Sequence, residues 1–168
     1  MRKWPAIVAV AGRHDRWMAL TLTRDDGLIL SDDATRLDVD RIHAWLAASY
    51  WAGGRDRPTI ERSIAGSLAY GVYAPGGEQV AFARVVTDRA TFAWICDVVV
   101  DDAWRGKGIG SWLMRGVVDA ITKLGVRRTV LATRDAHGVY EPIGFTPLAY
   151  PEFWMEIDRR ANRPRPLS

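Results

Sequence analysis

The sequence predicts an α/β (α+β) fold, and three observations predict it. From Leu68 to Val100, runs of alternating apolar residues are broken by Pro75-Gly76-Gly77-Glu78 and Asp88-Arg89-Ala90, which are turn chemistry. That pattern is an antiparallel meander of three strands. Helical spacing occupies the chain on either side of it. The last strand then runs through Val98-Val99-Val100 into Gly106-Lys107-Gly108-Ile109-Gly110 and an amphipathic segment: a strand, a tight loop and a helix start.

Taken in order, Leu28-Ile29-Leu30 predicts a first short strand, ended by Ser31-Asp32-Asp33. Asp38 suits an N-cap, and Val39, Ile42 and Leu46 recur at helical spacing, predicting a helix over 39–49. Tyr50 to Arg57 is a loop with two aromatics and two arginines. Pro58 suits a first helical turn, and Ile60, Ile64 and Leu68 continue at four-residue steps. The meander comprises Leu68 to Tyr73, a strand carrying Val80, Phe82, Arg84 and Val86, and Thr91 to Val100. Ile109, Leu113, Val117, Ile121 and Leu124 share one face of the next helix, which Gly125 stops. Thr129 to Leu131 predicts a strand, Asp135 to Glu141 a short helix closed by Pro142, and Phe145 and Phe153 to Ile157 the final strands.

The glycine loop is built for an anion. The first N–H groups of a helix have no intrahelical acceptor, and the helix dipole adds partial positive charge there. Glycines let the backbone approach a phosphate or pyrophosphate closely. Arg105 and Lys107 add charge at the same place. The lysine-ended phosphate loop of nucleotidases needs a Gly-Lys-Ser/Thr end, which does not occur. The dinucleotide fingerprint Gly-x-Gly-x-x-Gly fails at its last spacing, and the element falls past mid-chain.

With 168 residues, 48% of them hydrophobic, the chain can bury a core and is neither disordered nor fibrous. The lone Cys96 excludes an intramolecular disulfide and a cysteine-rich metal site, and no metal is expected. The net charge of +3 comes from the two ends, while acids outnumber bases between residues 25 and 158. That argues against a nucleic-acid surface and is compatible with a cationic acceptor. No stretch reaches the roughly 20 apolar residues that span a bilayer, and the apolar run after Arg2 and Lys3 lacks a cleavage pattern, so a cytoplasmic setting is expected, away from membranes. The expected division is a basic, flexible lead-in at 1–24 (a start at Met18 fits the body equally well), a domain at 25–158 and a basic, loose tail at 159–168.

Arg105 to Gly110, read as Arg-x-x-Gly-x-Gly, resembles the coenzyme A pyrophosphate loop of the GNAT superfamily of N-acetyltransferases. Ala136 to Phe145 resembles that family's Ala-x-x-x-Tyr-Glu-x-x-Gly-Phe segment, and the element order matches too. The resemblance covers roughly residues 26–158. It implies a GNAT-like central mixed, mostly antiparallel sheet flanked by helices, with a strand-loop-helix coenzyme A site. It departs from the pattern at Thr133, where the family often has asparagine, and at Pro142, where a basic residue is usual.

The implied activity is that of an acyltransferase: an N-acetyltransferase moving acetyl from acetyl-coenzyme A directly to a primary amine of a small molecule or peptide, through a ternary complex. Val98, Val99, Val100, Arg105, Gly106, Lys107, Gly108, Ile109, Gly110, Ser111 and Thr133 would hold the coenzyme. The backbone at Val98 to Val100 can also polarise the thioester carbonyl. Tyr140 is the candidate acid for the departing thiolate, since a phenol can protonate or hydrogen-bond it. Asp97 is the candidate base, or a group that binds a cationic acceptor or caps a bulge. Tyr50, Trp51 and Arg55 are expected to shape the acceptor site. Cys96 should point opposite Asp97 in a regular strand. A homodimer is compatible with all of this. The alternative is a non-catalytic acyl-coenzyme A sensor or interaction module on the same fold, its pocket plugged by Trp51 or Trp94.

Overall fold

Two aspartates start the first helices. Asp38 accepts a hydrogen bond from the Arg41 amide at the head of α1 (Val39–Ala47), and Asp56 accepts one from the Thr59 amide at the head of α2 (Arg57–Ala65). Pro58 sits in the first turn of α2, as its spacing predicts. Ile42, Leu46 and Ile60 are buried against Ala69, Phe82 and Val99 of the sheet. A computed structural model describes residues 20–159.

The described residues form one six-stranded sheet in chain order: β1 (Thr21–Thr23), β2 (Ile29–Ser31), β3 (Leu68–Tyr73), β4 (Gln79–Thr87), β5 (Phe92–Val100) and β6 (Arg128–Leu131). All neighbours are antiparallel except β5 and β6, which are parallel. The crossover between those two is α3 (Ile109–Lys123), whose Ile109, Leu113, Met114, Val117 and Ile121 are buried on the opposite sheet face from α1 and α2. α4 (His137–Tyr140) packs on the α3 side. Gly116 lets α3 approach β2, since a Cβ there would run into Leu30. Gly125, at φ +84°, follows the C-cap of α3, where the sequence places the stop.

Alternation along β4 divides the core. Phe82 joins the α1–α2 side, while Ala81, Ala83 and Val85 join the α3 side. On β5 the parity switches. Ala93 and Ile95 face α3, yet Val99 faces α1 and α2. One extra residue causes the switch. Phe82 pairs with Val99 and Arg84 with Cys96, so Asp97 and Val98 together oppose Ala83, and Asp97 takes φ +53°.

Two expectations need correction. Phe145 and Phe153 to Ile157 form no strand. Pro147 and Pro151 each remove a ladder donor, and Pro151–Phe153 is a single 3-10 turn. Trp154 packs on Phe92 and Arg128 instead of extending the sheet. The bulge also overturns the expectation that Cys96 and Asp97 point oppositely, because Cys96 stands opposite Arg84 in the ladder and the Asp97 carboxylate accepts from that same Arg84 side chain. Residues 1–19 of the expected lead-in, and the tail beyond Arg159, lie outside the described residues. From Leu20 the chain is already entering the sheet, as β1.

Candidate active site

The ladder between β5 and β6 ends at the pair Ile95 and Leu131. Beyond it, Cys96 to Val100 have no strand partner on the β6 side among the described residues. A cleft of about 1120 Å³ opens there, between the loop from α1 to α2, the start of α3 and α4. Val98, Val99 and Val100 line it, although Val99 also packs under α1 and α2. Core packing by the side chains therefore coexists with an exposed backbone edge.

One end of the cleft is the glycine loop. Gly106 and Gly108 take φ +75° and +70°, and beyond the adjacent residues nothing lies within 4 Å of where a Cβ would stand on either. Unlike α1 and α2, α3 has no side-chain cap on its first amides. A 15-residue helix thus presents uncapped N–H groups at Ile109, Gly110 and Ser111. Gly106, Gly108, Ile109, Gly110 and Ser111 all line the cleft. This cradle, open to backbone approach and free of side chains, fits a pyrophosphate. Arg105 lines it as well, paired with Asp102 at 2.9 Å. Lys107 lies over the Trp104 ring, 4.3 Å from its centroid, and does not line the cleft. Thr133 lines it, but its hydroxyl accepts from the Ala136 amide at 3.0 Å and so holds the entry to α4.

Tyr140 stands on the far wall. Its residue is 9% exposed, and among the described residues nothing hydrogen-bonds its hydroxyl, which lies on the cleft. Burial, followed by the neighbouring Tyr50 and Asp135, holds its ionisation above the usual tyrosine value. The phenol therefore keeps its proton at neutral pH. Phe145 packs edge-on against the ring at 6.0 Å.

The loop between α1 and α2 brings Tyr50, Trp51 and Arg55 to the cleft together. Arg55 Nη1 donates to both oxygens of Asp97 at 2.9 Å. A second arginine, Arg84, donates from Nε to Asp97 Oδ2 at 2.8 Å and from Nη1 to Ser67 at 2.9 Å. The Asp97 side chain is 1% exposed. Sequence reasoning assigned Arg84 no role, although an arginine between Phe82 and Val86 on a core strand is the visible signal for a buried partner. Trp45, Trp94 and Cys96 also line the cleft. The Cys96 thiol is pushed up to about 11 by burial and carries no thiolate character at neutral pH. Trp51 and Trp94 form walls and leave the cleft open.

The acetyltransferase (GNAT) family model matches residues 35–145. A solved candidate acetyltransferase of that family from Xanthomonas campestris pv. campestris is 41% identical, with a TM-score of 0.74, covering 78% of this chain and 92% of its own. A curated relative from Gibberella zeae, a candidate acetyltransferase, is 29% identical over 67% of this chain and 75% of its own length. N-acetylglutamate synthase from Neisseria gonorrhoeae, solved with coenzyme A and N-acetyl-glutamate, shares the fold at 17% identity and a TM-score of 0.61, covering 73% of this chain and 29% of its own. With the strand-loop-helix cradle, the parted strands and these matches in agreement, the chain belongs to the acetyltransferase (GNAT) family.

Proposed function

We propose that the protein transfers an acetyl group from acetyl-coenzyme A directly to a primary amine of a small molecule or peptide, with both substrates held in one ternary complex. Acetyl-coenzyme A supplies the acetyl group already activated as a thioester. The observation that carries the reading is the parting of β5 from β6 beside Tyr140. It leaves the Val98 to Val100 backbone and a free phenol on one cleft, with the uncapped start of α3 at its end.

The residues divide the work. Amides of Ile109, Gly110 and Ser111 hold the pyrophosphate. The β5 edge aligns the donor like an added strand and offers N–H groups to the thioester carbonyl. Tyr140 keeps its proton and gives a hydrogen bond or the proton itself to the departing thiolate. Asp97 is not the base in this reading. Arginine N–H groups occupy both of its oxygens, and it is nearly closed to solvent, so no face remains for an amine. The amine gives up its proton to water in the open cleft.

The test is release of free coenzyme A thiol on adding amines to the protein and acetyl-coenzyme A. Amine-dependent release with stoichiometric N-acetyl product is expected. Acetyl-coenzyme A binding without release by any amine would favour the sensor alternative.

A further inference from the structure

Charge balance inside the cleft says more about the acceptor. Most charged groups that line it are matched nearby. Asp101 accepts from the Trp45 indole at 3.1 Å and lies 4.0 Å from Arg41, which it shares with Glu78 at 2.6 Å and Asp38 at 3.8 Å, so the charge in excess at that end is negative. Asp102 pairs with Arg105 at 2.9 Å, and Asp135 with Arg134 at 3.3 Å. At the acceptor end the balance fails. Arg55 and Arg84 share the one carboxylate of Asp97, which leaves one positive charge in excess. Arg84 is nearly enclosed, its side chain 11% exposed, whereas that of Arg55 is 30% exposed and lines the cleft. Arg55 uses only Nη1 on Asp97, so its Nε and Nη2 have no hydrogen-bond partner among the described residues. Half of a planar guanidinium fork is therefore presented, pre-oriented, to whatever occupies the cleft. A partly desolvated, unmatched charge is costly unless an anion completes it.

We infer that the acceptor amine carries a carboxylate, and that Arg55 binds this carboxylate while Asp97 and Arg84 fix the guanidinium in place. The inference rests on the acetyl transfer proposed above and names its substrate class: amino acids, or peptides presenting a free carboxylate close to the amine. Asp97 positions Arg55, and Arg55 sets specificity. The surplus of acidic residues over the body of the chain suggests a cationic acceptor, but the local balance at the acceptor end has the opposite sign. Tyr50, Trp51 and Trp94 line the cleft beside Arg55 and suit the rest of the acceptor.

The experiment compares free amino acids (phenylalanine, leucine, glutamate and glycine) with their carboxamides, with rates expressed per neutral amine because amidation also lowers the α-amine pKa. Binding of acetyl-coenzyme A is first established by calorimetry. Thiol release and quenching of tryptophan fluorescence are then followed. The acids should exceed their amides by about 10- to 100-fold in kcat/KM, the worth of a hydrogen-bonded charge pair. The difference should lie mainly in KM. In Arg55→Ala the acid-to-amide ratio should collapse toward one, and Arg55→Lys should restore it in part. Amides used as well as acids would overturn the inference while leaving acetyl transfer intact. So would acids that neither bind nor react. If acetyl-coenzyme A itself fails to bind, both readings fall.

Discussion

At Asp97 a single left-handed residue changes which sheet face its neighbours occupy, and it carries the site with it. The bulge turns Asp97 toward Arg55 and Arg84 and puts Val98 on the α3 face. Asp97→Asn keeps the shape and removes the charge, leaving two arginines unmatched. The expected cost is about 3–5 kcal/mol in urea unfolding, and a loss under 1 kcal/mol would show that the triad is not coupled. Tyr140 belongs to the same scale. Tyr140→Phe removes a hydroxyl with no structural partner, so acetyl-coenzyme A affinity and stability should hold. kcat should fall about 100-fold, the usual worth of general acid catalysis. Unchanged turnover across pH would remove Tyr140 from the chemistry. The sequence marks Tyr140 through its motif. It also shows Asp97 as a base, an acceptor-binding group or a bulge cap, and Arg55 as an acceptor-site residue, but not their pairing, because a bulge leaves no periodic trace. That Asp97 meets Arg84, 13 positions away, and Arg55, 42 positions away, is tertiary information.

At the scale of elements, the proposed coenzyme site rests on the start of α3. Its capless start contrasts with the aspartate caps of α1 and α2, as an anion site requires. Gly108→Glu should cost about 1–2 kcal/mol for the left-handed backbone, since space around it is open. It should abolish acetyl-coenzyme A binding by placing a carboxylate in the cradle. Circular dichroism and calorimetry on the same sample check both halves, and retained affinity would move the pyrophosphate elsewhere. The helices and the meander were legible because caps, turn residues and apolar period agree there. The predicted C-terminal strands were not. The run from Phe153 to Ile157 is apolar, but the two prolines before it turn the chain over β6 without a ladder. β1 escaped notice because three exposed residues give no alternation to find.

For the whole molecule, burial of tyrosines sets an alkaline limit. Tyr70 and Tyr73 are pushed up to about 12 by burial, and Tyr140 is raised as well. Unfolded tyrosine ionises near pH ~10. The folded state therefore holds these protons longer than the unfolded chain. Their contribution is fully present below pH ~10 and is lost as pH rises toward about 12. The urea midpoint should fall across that interval, and a constant midpoint through pH ~11 would contradict the burial of these phenols.

The family of the whole chain was legible in two motifs and an element order, because a strand, a cradle and a helix must follow one another for the backbone to hold a pyrophosphate. The most direct measurement is calorimetric titration of the protein with acetyl-coenzyme A, run beside ATP and NAD. Saturable one-to-one binding of acetyl-coenzyme A, with no heat from the two nucleotides, is the predicted result. Absence of acetyl-coenzyme A binding, or equal binding of ATP, would contradict the assignment of the cleft.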